Sequence, residues 1–292
     1  MINGIVLINK RKFHTSSKTL GIFKKNTKVK KAGIYGILDP LASGVLPIVV
    51  GEATKYLNFI LSTNKSYNVK CKLGVFSECG DYEVKPMIFE NEKDIIKSLS
   101  ESTINETFKQ YCGLYLQMPP MFSASKYKGK PLYAYARKNI VVKRNFKRRY
   151  IHNLEFLSLE NDILNFNVTC SSGTYIRTLI QDISQEWNLH SCLYELNRFA
   201  VEPFETFSCI DVEDISIDNI DEYLINITDM LPDLPSIICS NDELIRLYNG
   251  LFINKDNITP DCICKLVDQK NVFYGVGIFK DKLLYPKRLM KR

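Results

Sequence analysis

Residues 33–55, GIYGILDPLASGVLPIVVGEATK, join a polar turn to an apolar core segment. The apolar run 44–51 lies between two glycines and is predicted to be a buried strand. Residues 52–61 carry apolar side chains at helical spacing, which predicts a helix. Before the strand, Pro40 has a fixed backbone angle and biases Asp39 toward an extended conformation. The stretch therefore predicts a stiff loop that holds the Asp39 carboxylate just before a core strand.

Asp39 is the first acidic residue of the chain and follows nine Lys or Arg. A lone carboxylate behind a strongly positive arm suggests that it is presented to a polyanion. An Asp-Pro pair is also a common turn and helix-start element. The dipeptide alone is thus compatible with either a catalytic or a structural role.

The positive charge is segregated along the 292-residue chain, whose net charge is +7. Two windows, residues 1–38 (the first basic window) and 107–154 (the second basic window), hold 20 of the 39 Lys and Arg and no acid. Such windows favour a phosphate backbone as the partner. An acidic protein or a membrane surface is the alternative, but no amphipathic helix supports either one.

The composition sets further expectations about the class of protein. A hydrophobic content of 45% allows one large domain plus a small one. Apolar runs reach about half the length that crosses a bilayer, so we expect a soluble, cytoplasmic protein. A monomer is the expected oligomeric state. Nine cysteines without a CxxC pair and three scattered histidines predict reduced thiols and no metal site. No phosphate-binding glycine motif follows a strand, so no nucleotide cofactor is expected.

Several segments show the periodicity of regular structure. An opening strand at 2–8, a short helix at 16–26 and one or two helices within 92–111 are predicted. Tyr67 begins a period-2 pattern that runs to residue 75, which predicts a strand with this tyrosine on its apolar face. That position suits either a core aromatic or an aromatic at the edge of a pocket. A second alternating strand is predicted at 163–170.

Residues 117–139 interleave aromatic residues with cations, a mixture that stacks bases and neutralises phosphates but also occurs in ordinary exposed hairpins. Arg177 lies in the first turn of a predicted amphipathic helix, where the helix dipole favours anions over cations. An acidic partner or a phosphate would explain that placement, and a simple surface arginine is the alternative. Residues 231–235, LPDLP, read as a linker, and short strand patterns beyond it predict a small β domain of about 55 residues.

Several motifs then occur in one order: the block around Asp39, KSYNVKCKLG at 65–74, PPMFSASKYKGKPLYAYAR at 119–137, SSGTYIRTLIQDI at 171–183, and LYELNRF at 193–199. Together they resemble the bacterial tRNA pseudouridine synthase B (TruB) family over most of residues 1–210. The C-terminal YNG, FYGVG and YPKRL segments resemble a PUA RNA-binding domain, with lower specificity.

The resemblance implies an α+β fold with a mixed, largely antiparallel central sheet flanked by helices. It implies a catalytic domain over 1–230 with a basic RNA-gripping insertion at about 115–150, and a small PUA-like β-barrel over 236–292. The implied reaction converts uridine 55 in the T arm of tRNA to pseudouridine, after the base is flipped out at a cost of a few kcal/mol. This isomerisation implies no redox cofactor, metal or ATP.

By position in the motifs, Asp39 would be the catalytic carboxylate, Tyr67 would stack on the flipped base and Arg177 would pair with Asp39. Tyr175 and Leu196 would contact the base. Whether the aspartate attacks the sugar, attacks the base or removes a sugar proton stays open. Further substrate contacts are assigned to Tyr35 and Lys10, and RNA backbone contacts to Lys126, Lys128, Lys130, Arg137, Arg148 and Arg149.

The chain departs from the family pattern at three places. Ile34-Tyr35 replaces a His-Thr pair, so a polar contact near the base is missing or comes from the Tyr35 hydroxyl. Lys10-Arg-Lys-Phe13 replaces Lys-Pro-x-Gly, and Asn197 replaces an arginine. A non-catalytic tRNA-binding or tRNA-folding protein is therefore a second hypothesis. A relative that works with a guide RNA and partner proteins is a third, against which the bacterial-type block at 119–130 and the modest length argue.

Overall fold

The structure, a computed structural model, describes residues 2–61, 63–255 and 262–291. The strands are β1 (Gly4–Lys10), β2 (Ala32–Ile34), β3 (Ser43–Val50), β4 (Lys65–Leu73), β5 (Val75–Phe76), β6 (Met87–Ile88), β7 (Gly113–Gln117), β8 (Lys126–Tyr127), β9 (Lys130–Pro131), β10 (Lys147–Glu160), β11 (Ile163–Cys170), β12 (Ser191–Val201), β13 (Ile210–Asp211), β14 (Ser236–Ile238), β15 (Ile253–Asn254), β16 (Cys262–Val267), β17 (Phe273–Lys280) and β18 (Leu283–Leu289). The helices are α1 (Ser16–Thr27), α2 (Lys93–Ser98), α3 (Glu101–Tyr111), α4 (Leu132–Ala136), α5 (Ile176–Gln185), α6 (Ile227–Met230) and α7 (Asn241–Tyr248).

A nine-stranded sheet organises the first 211 residues. Its order is β13-β1-β3-β12-β4-β11-β10-β7, and β2 pairs with β3 beside this path. The pairings β1/β13 and β3/β12 are parallel, and the others are antiparallel. The predicted mixed, largely antiparallel sheet is therefore confirmed. This order places β12 between β3 and β4, so chain segments far apart in sequence meet at the centre of the sheet.

The central strand β4 shows why the alternating pattern predicts the fold. Its burial alternates strictly from Lys65 to Leu73, and every second side chain faces the core. Helix α5 covers that core with a stripe of buried apolar residues that includes Leu179 and Ile183. Each such side chain contributes roughly 1.5–3 kcal/mol when it is fully buried. Packing of α5 on this sheet thus fixes the position of the first turn of the helix, which contains Arg177.

Helix α1 covers a second part of the sheet and confirms the predicted helix. Thr15 caps it, since the Thr15 hydroxyl accepts a hydrogen bond from the backbone N–H of Lys18 at 3.0 Å. Phe23 is fully buried against Val6 and Ile48 of strands β1 and β3. The turn that precedes α1 is thereby held against the sheet.

The helix predicted for residues 52–61 is wrong. The chain forms two 3₁₀ turns, Gly51–Lys55 and Leu57–Phe59, joined at Tyr56. Backbone bonds close at i+3 spacing, from Tyr56 to Ala53 and from Phe59 to Tyr56. A 3₁₀ turn also places residues i and i+3 on one side of the chain. Ala53 and Tyr56 can therefore both be buried without an α-helix.

A second, five-stranded sheet lies at the C-terminal end, in the order β14-β16-β17-β18-β15. It confirms the predicted small β unit beyond residue 235. Val276 of this sheet packs in one apolar cluster with Leu231 and Leu234 of the preceding segment. The Tyr56 ring meets Phe273 edge-on, with ring centroids 5.0 Å apart. The second sheet therefore contacts the 3₁₀ turns of the first unit.

Candidate active site

Asp39 lies on the loop between β2 and β3, and several hydrogen bonds hold that loop. The Ser16 hydroxyl donates to the Leu38 carbonyl at 2.9 Å and accepts from the Leu38 N–H at 3.0 Å. The Pro40 carbonyl accepts a bond from the Phe13 N–H at 2.7 Å. The Asp39 side chain is 41% exposed. Neighbouring backbone thus fixes the direction of a carboxylate that solvent or substrate can reach.

Arg177 is buried, and its guanidinium is fixed by three acceptors. Its Nε donates to Asp39 Oδ2 at 2.8 Å, Nη1 to the Cys79 carbonyl at 2.6 Å and Nη2 to the Phe122 carbonyl at 2.9 Å. The alternative of a surface arginine is wrong, since the side chain is only 7% exposed. Charge-assisted bonds of this kind are about twice as strong as neutral ones. The structure therefore brings the predicted Asp39–Arg177 pair together with one fixed geometry.

The pair lines a cavity of about 250 Å³. This is below the roughly 300–1,000 Å³ typical of sites for drug-sized ligands, so the space suits a single ring system. Five residues predicted from sequence line it: Asp39, Tyr67, Tyr175, Arg177 and Leu196.

Tyr67 is both a core residue and a wall of this cavity. Its side chain is 7% exposed, and burial raises the pKa of its hydroxyl to about 12, while the nearby Arg198 charge acts in the opposite direction. On the next strand, Leu196 adds an apolar contact to the same cavity. An aromatic face and an aliphatic side chain are the surfaces that a flipped base requires.

Tyr175 directly precedes helix α5 and connects the helix to the second basic window. Its N–H donates to Gln117 Oε1 at 2.8 Å, and its carbonyl accepts from Gln117 Nε2 at 2.9 Å. Its hydroxyl lies 3.0 Å from the Ser125 Oγ. The cavity is thus connected to the segment that contains the predicted RNA contacts.

Sequence reasoning missed two buried cations of this cavity, Lys65 and Arg198. Arg198 is 1% exposed, and its Nε and Nη2 each donate at 2.8 Å, to the carbonyls of Val45 and Gly36. Burial lowers the pKa of Arg198, and burial with the Arg198 charge lowers the pKa of Lys65 to about 8. A signal was present: extending the Tyr67 alternation back by two residues places Lys65 on the buried face.

Gly36 lets these cations approach the Asp39 loop. Its φ is +76°, and an added Cβ would lie 3.1 Å from Lys65 Cε and 3.4 Å from Arg198 Nη1. Only glycine readily adopts that angle without crowding either cation. The glycine of the IYG sequence therefore has a steric role at the cavity wall.

Asp81 is a further acidic residue near the pair, and no sequence pattern pointed to it. Burial raises the pKa of its carboxyl; the Glu83 N–H bond and the Arg177 charge oppose that shift, and the Asp39 charge adds to it. Arg177 thus faces two carboxylates, one bonded and one at longer range.

Two predicted substrate contacts do not line the cavity. Lys10 is fully buried, and its Nζ donates to the carbonyls of Arg11, His14 and Pro40 at 3.0, 2.6 and 3.3 Å. Burial lowers the pKa of Lys10 to about 8. Tyr35 packs edge-on against Phe204, with centroids 6.3 Å apart. Lys10 therefore holds the turn at 11–14 to the Asp39 loop. Tyr35 packs in a neighbouring apolar cluster, and its ring lies 5.8 Å from the Nζ of Lys65, which lines the cavity.

The predicted RNA backbone residues occupy the surface beside the cavity. The exposed ones lie on the β8–β9 hairpin, after α4 and on β10: Lys126, Lys128, Lys130, Arg137 and Arg148. Arg149 is half-buried, and its guanidinium touches Gly173, where an added Cβ would lie 3.0 Å from one Nη. Arg149 thus reaches the cavity wall, whereas the others form an open basic surface.

The described part of the chain contains no cluster of three or more His, Cys, Asp or Glu that could bind a metal ion. Across residues 2–61, 63–255 and 262–291, no helix combines the length and apolar character needed for a membrane span. The chemistry that the site does offer is a fixed carboxylate. Asp39 Oδ2 is held by Arg177, and Oδ1 has no hydrogen bond within the described residues.

Comparison with known proteins identifies the family. Residues 24–176 match the model of the TruB family pseudouridylate synthase, N-terminal domain. The chain is 34% identical to tRNA pseudouridine synthase B of Coxiella burnetii, covering 100% of this chain and 96% of that protein. It is 36% identical to tRNA pseudouridine synthase B of Clostridium tetani, covering 94% and 95%.

Solved structures show the same fold. A chain in the crystal structure of a Cbf5–Nop10–Gar1 complex superposes with a TM-score of 0.71 at 21% identity, over 99% of this chain and 84% of that one. A chain in an H/ACA RNP bound to a substrate RNA containing 2′-deoxyuridine gives 0.71 at 19% identity, over 99% and 85%. The predicted fold class is thereby confirmed.

Proposed function

The chain belongs to the TruB family of pseudouridylate synthases, and on that premise we propose that it isomerises uridine 55 in the T arm of tRNA to pseudouridine. One observation carries the proposal: the Asp39–Arg177 ion pair lies in a cavity with room for a single ring, beside Tyr67 and Leu196. The curated relatives are named for the same activity on tRNA. A tRNA substrate also supports a cytoplasmic location.

The reaction changes the atom of the uracil ring that is bonded to the sugar, from N1 to C5. The bond between N1 and the sugar C1′ breaks, the base turns, and C5 bonds to C1′. The hydrogen of C5 is lost and N1 gains one, so no atom is added overall. The base reaches the cavity only after it leaves its stack, which costs a few kcal/mol. Stacking on Tyr67, about 1–3 kcal/mol for one base, offsets part of that cost.

Arg177 fixes the Asp39 carboxylate in place for the substrate that covers it. A bound base excludes water, and a buried charge is costly unless a partner of opposite charge joins it. The guanidinium supplies that partner at Oδ2, at 2.8 Å, while Oδ1 has no hydrogen bond within the described residues. The ion pair therefore holds one carboxylate oxygen available for the substrate in a site that loses its water.

The surrounding surface supports a tRNA substrate. The second basic window supplies exposed cations beside the cavity, and Tyr175 connects that segment to the site through Ser125. Phosphate contacts of this kind position an RNA without reading its sequence. We further propose that residues 1–230 form the catalytic domain and that the C-terminal sheet is a PUA-like RNA-binding domain.

The first experiment is a pseudouridine assay on unmodified tRNA transcripts, with wild type beside Asp39→Asn and without metal or cofactor. Wild type should form pseudouridine at position 55, and a transcript with cytidine there should give none. Asp39→Asn should lower the single-turnover rate by at least about 10²–10⁴-fold, the range typical of a lost acid–base group. Its tRNA affinity should stay within a few-fold of wild type.

The second hypothesis, a non-catalytic tRNA-binding or folding protein, predicts a different outcome. Wild type would then bind tRNA tightly and with strong salt dependence, yet form no pseudouridine. That result would overturn the proposed enzyme, and the Ile34-Tyr35 departure would be the first place to look. If the wild type is active and the inactive Asp39→Asn variant still promotes tRNA folding, both roles are present.

A further inference from the structure

Lys65 is a buried cation that lines the catalytic cavity without a carboxylate partner. It is 5% exposed, and no Asp or Glu of the described residues lies within ion-pair distance. Its Nζ donates one hydrogen bond, to the Ser172 Oγ at 2.8 Å, and lies over the Tyr35 ring, 5.8 Å from the ring centroid. An ammonium has three donors, so two have no acceptor in the described protein. A buried charge of this kind is costly unless a partner of opposite charge joins it.

A second cation, Arg149, contacts the turn at Ser172 and Gly173. The Arg149 guanidinium touches Gly173, and the arginine forms no ion pair with any residue the structure describes. Its Nε is buried with no hydrogen-bond partner, and Nη1 reaches only the Arg148 carbonyl at 3.4 Å. Ser172 and Gly173, by contrast, are exposed and line the cavity. Two cations with unused donors therefore converge on an exposed turn at the cavity wall.

A phosphate is the group that fits this arrangement. It offers several acceptor oxygens and a negative charge, whereas the uracil ring is neutral. We propose that Lys65 and Arg149 bind one phosphate of the substrate RNA at the Ser172–Gly173 turn, a phosphate that adjoins the flipped nucleotide. The inference rests on the proposed function. It assigns Lys65 a binding role at the cavity wall.

The test couples a protein change to a change in the RNA. T-arm stem-loops carry a neutral methylphosphonate at the phosphate either 5′ or 3′ of the target uridine, and Lys65→Met, Arg149→Gln and wild type are compared by kcat/KM. Lys65→Met and the correct methylphosphonate should each lower kcat/KM by about 10–100-fold, the range for a hydrogen bond to a charged group. Together they should cost no more than the methylphosphonate alone, because the neutral group has already removed the Lys65 contact. Arg149→Gln should show the same coupling.

Lys70→Met is the matched control. Lys70 lies on the same strand as Lys65 but on its other face, half-exposed and paired with Glu195 at 2.9 Å. Its replacement should leave kcat/KM unchanged on every substrate and show no coupling to either methylphosphonate.

The outcomes separate the two proposals. A wild-type protein that forms no pseudouridine on the unmodified stem-loop overturns the proposed function. An active wild type whose Lys65→Met and Arg149→Gln losses multiply with both methylphosphonates overturns only the phosphate site. Arg149 is half-buried on a surface strand, so its variant should fold and keeps the test valid even if Lys65→Met does not.

Discussion

Arg177 and Lys65 are both buried cations that line the same cavity, and they differ in what they face. Arg177 has a carboxylate and two carbonyls at 2.6–2.9 Å, so every part of its guanidinium is engaged by protein. Lys65 has one serine hydroxyl and the face of the Tyr35 ring, and no acid within the residues described. A cation paired with an acid is neutralised within the protein, whereas a cation without an acid retains a charge that, as we propose, binds a phosphate of the substrate.

The same contrast separates the two basic windows at the surface. In the first window, Arg11 pairs with Glu213, Lys12 with Glu195 and Lys31 with Glu52, at 3.2, 3.6 and 3.4 Å. No cation of the second window forms an ion pair with the residues that the structure describes. An acid-free sequence window is therefore not always a positive surface, because acids from elsewhere in the chain neutralise part of it.

The largest effect is expected from Arg177→Ala. It removes the partner of Asp39 and the two hydrogen bonds that Arg177 donates to the Cys79 and Phe122 carbonyls. We expect the single-turnover rate to fall by about 10²–10⁴-fold, comparable to losing an acid–base group, while tRNA affinity changes far less. Arg177→Lys should restore little, because one ammonium cannot match a fixed three-acceptor fork. A near wild-type rate for Arg177→Ala would contradict the ion-pair role.

A smaller effect is expected at the basic surface of the β8–β9 hairpin, where we propose that RNA binds. The triple change Lys126→Gln, Lys128→Gln and Lys130→Gln removes three unpaired cations. It should weaken tRNA binding and reduce the slope of log K against log salt by about 1 for each phosphate that the protein no longer neutralises. Saturating tRNA should restore the turnover rate.

The matched control for the triple change is Arg11→Gln with Lys12→Gln, which removes cations that are already paired. Surface pairs contribute roughly 0–1 kcal/mol, so a small loss of stability with an unchanged salt slope is expected. Equal loss of slope in both variants would show that the distinction between the two windows does not hold.

The sequence predicted the parts of the fold that have a regular period. Strands β4 and β11 alternate without interruption, and the loop motif around Asp39 is contiguous. Strand β10 was missed, because register shifts between Ile151 and Asn153 and between Phe156 and Ser158 break its period, and its first residues are basic.

The site was predictable only as far as its contacts are local or carried by family motifs. The burial of Arg177 depends on carbonyls 98 and 55 residues away in sequence. The Lys65 bond to Ser172 spans 107 residues. Such contacts arise from the order of strands in the sheet, which a one-dimensional pattern does not contain.

The pH dependence of stability tests whether Lys65 is unpaired. Its pKa of about 8 is below the ordinary value, so the folded protein releases this proton before the unfolded chain does. Between about pH 8 and 10.5 the unfolded state then binds more protons, and stability rises with pH. In Lys65→Met this rise in the free energy of unfolding, up to about 3 kcal/mol, is absent. The similar rise that Lys10 causes remains in both proteins.

The measurement is the difference in free energy of unfolding between Lys65→Met and wild type, from denaturant melts at several pH values. The advantage of the variant should be greatest below pH 8 and should shrink toward pH 10.5. A constant difference would mean that Lys65 is compensated in the folded protein, which would place it beside Arg177 in the comparison.

The smallest effect concerns Phe13, in the turn of the first basic window. Its φ is +66°, a left-handed angle that costs a bulky residue roughly 1–2 kcal/mol, and its side chain is 60% exposed. Phe13→Gly relieves that strain, so the melting temperature should rise by about 2–4 °C for each kcal/mol gained. Phe13→Ala keeps the strain and should give no such rise. Both variants keep the backbone hydrogen bond from residue 13 to Pro40 that holds the Asp39 loop, so tRNA affinity should stay within twofold for both. A shared loss of affinity would instead show that the exposed ring contacts RNA, and the first window would then join the second as part of the binding surface.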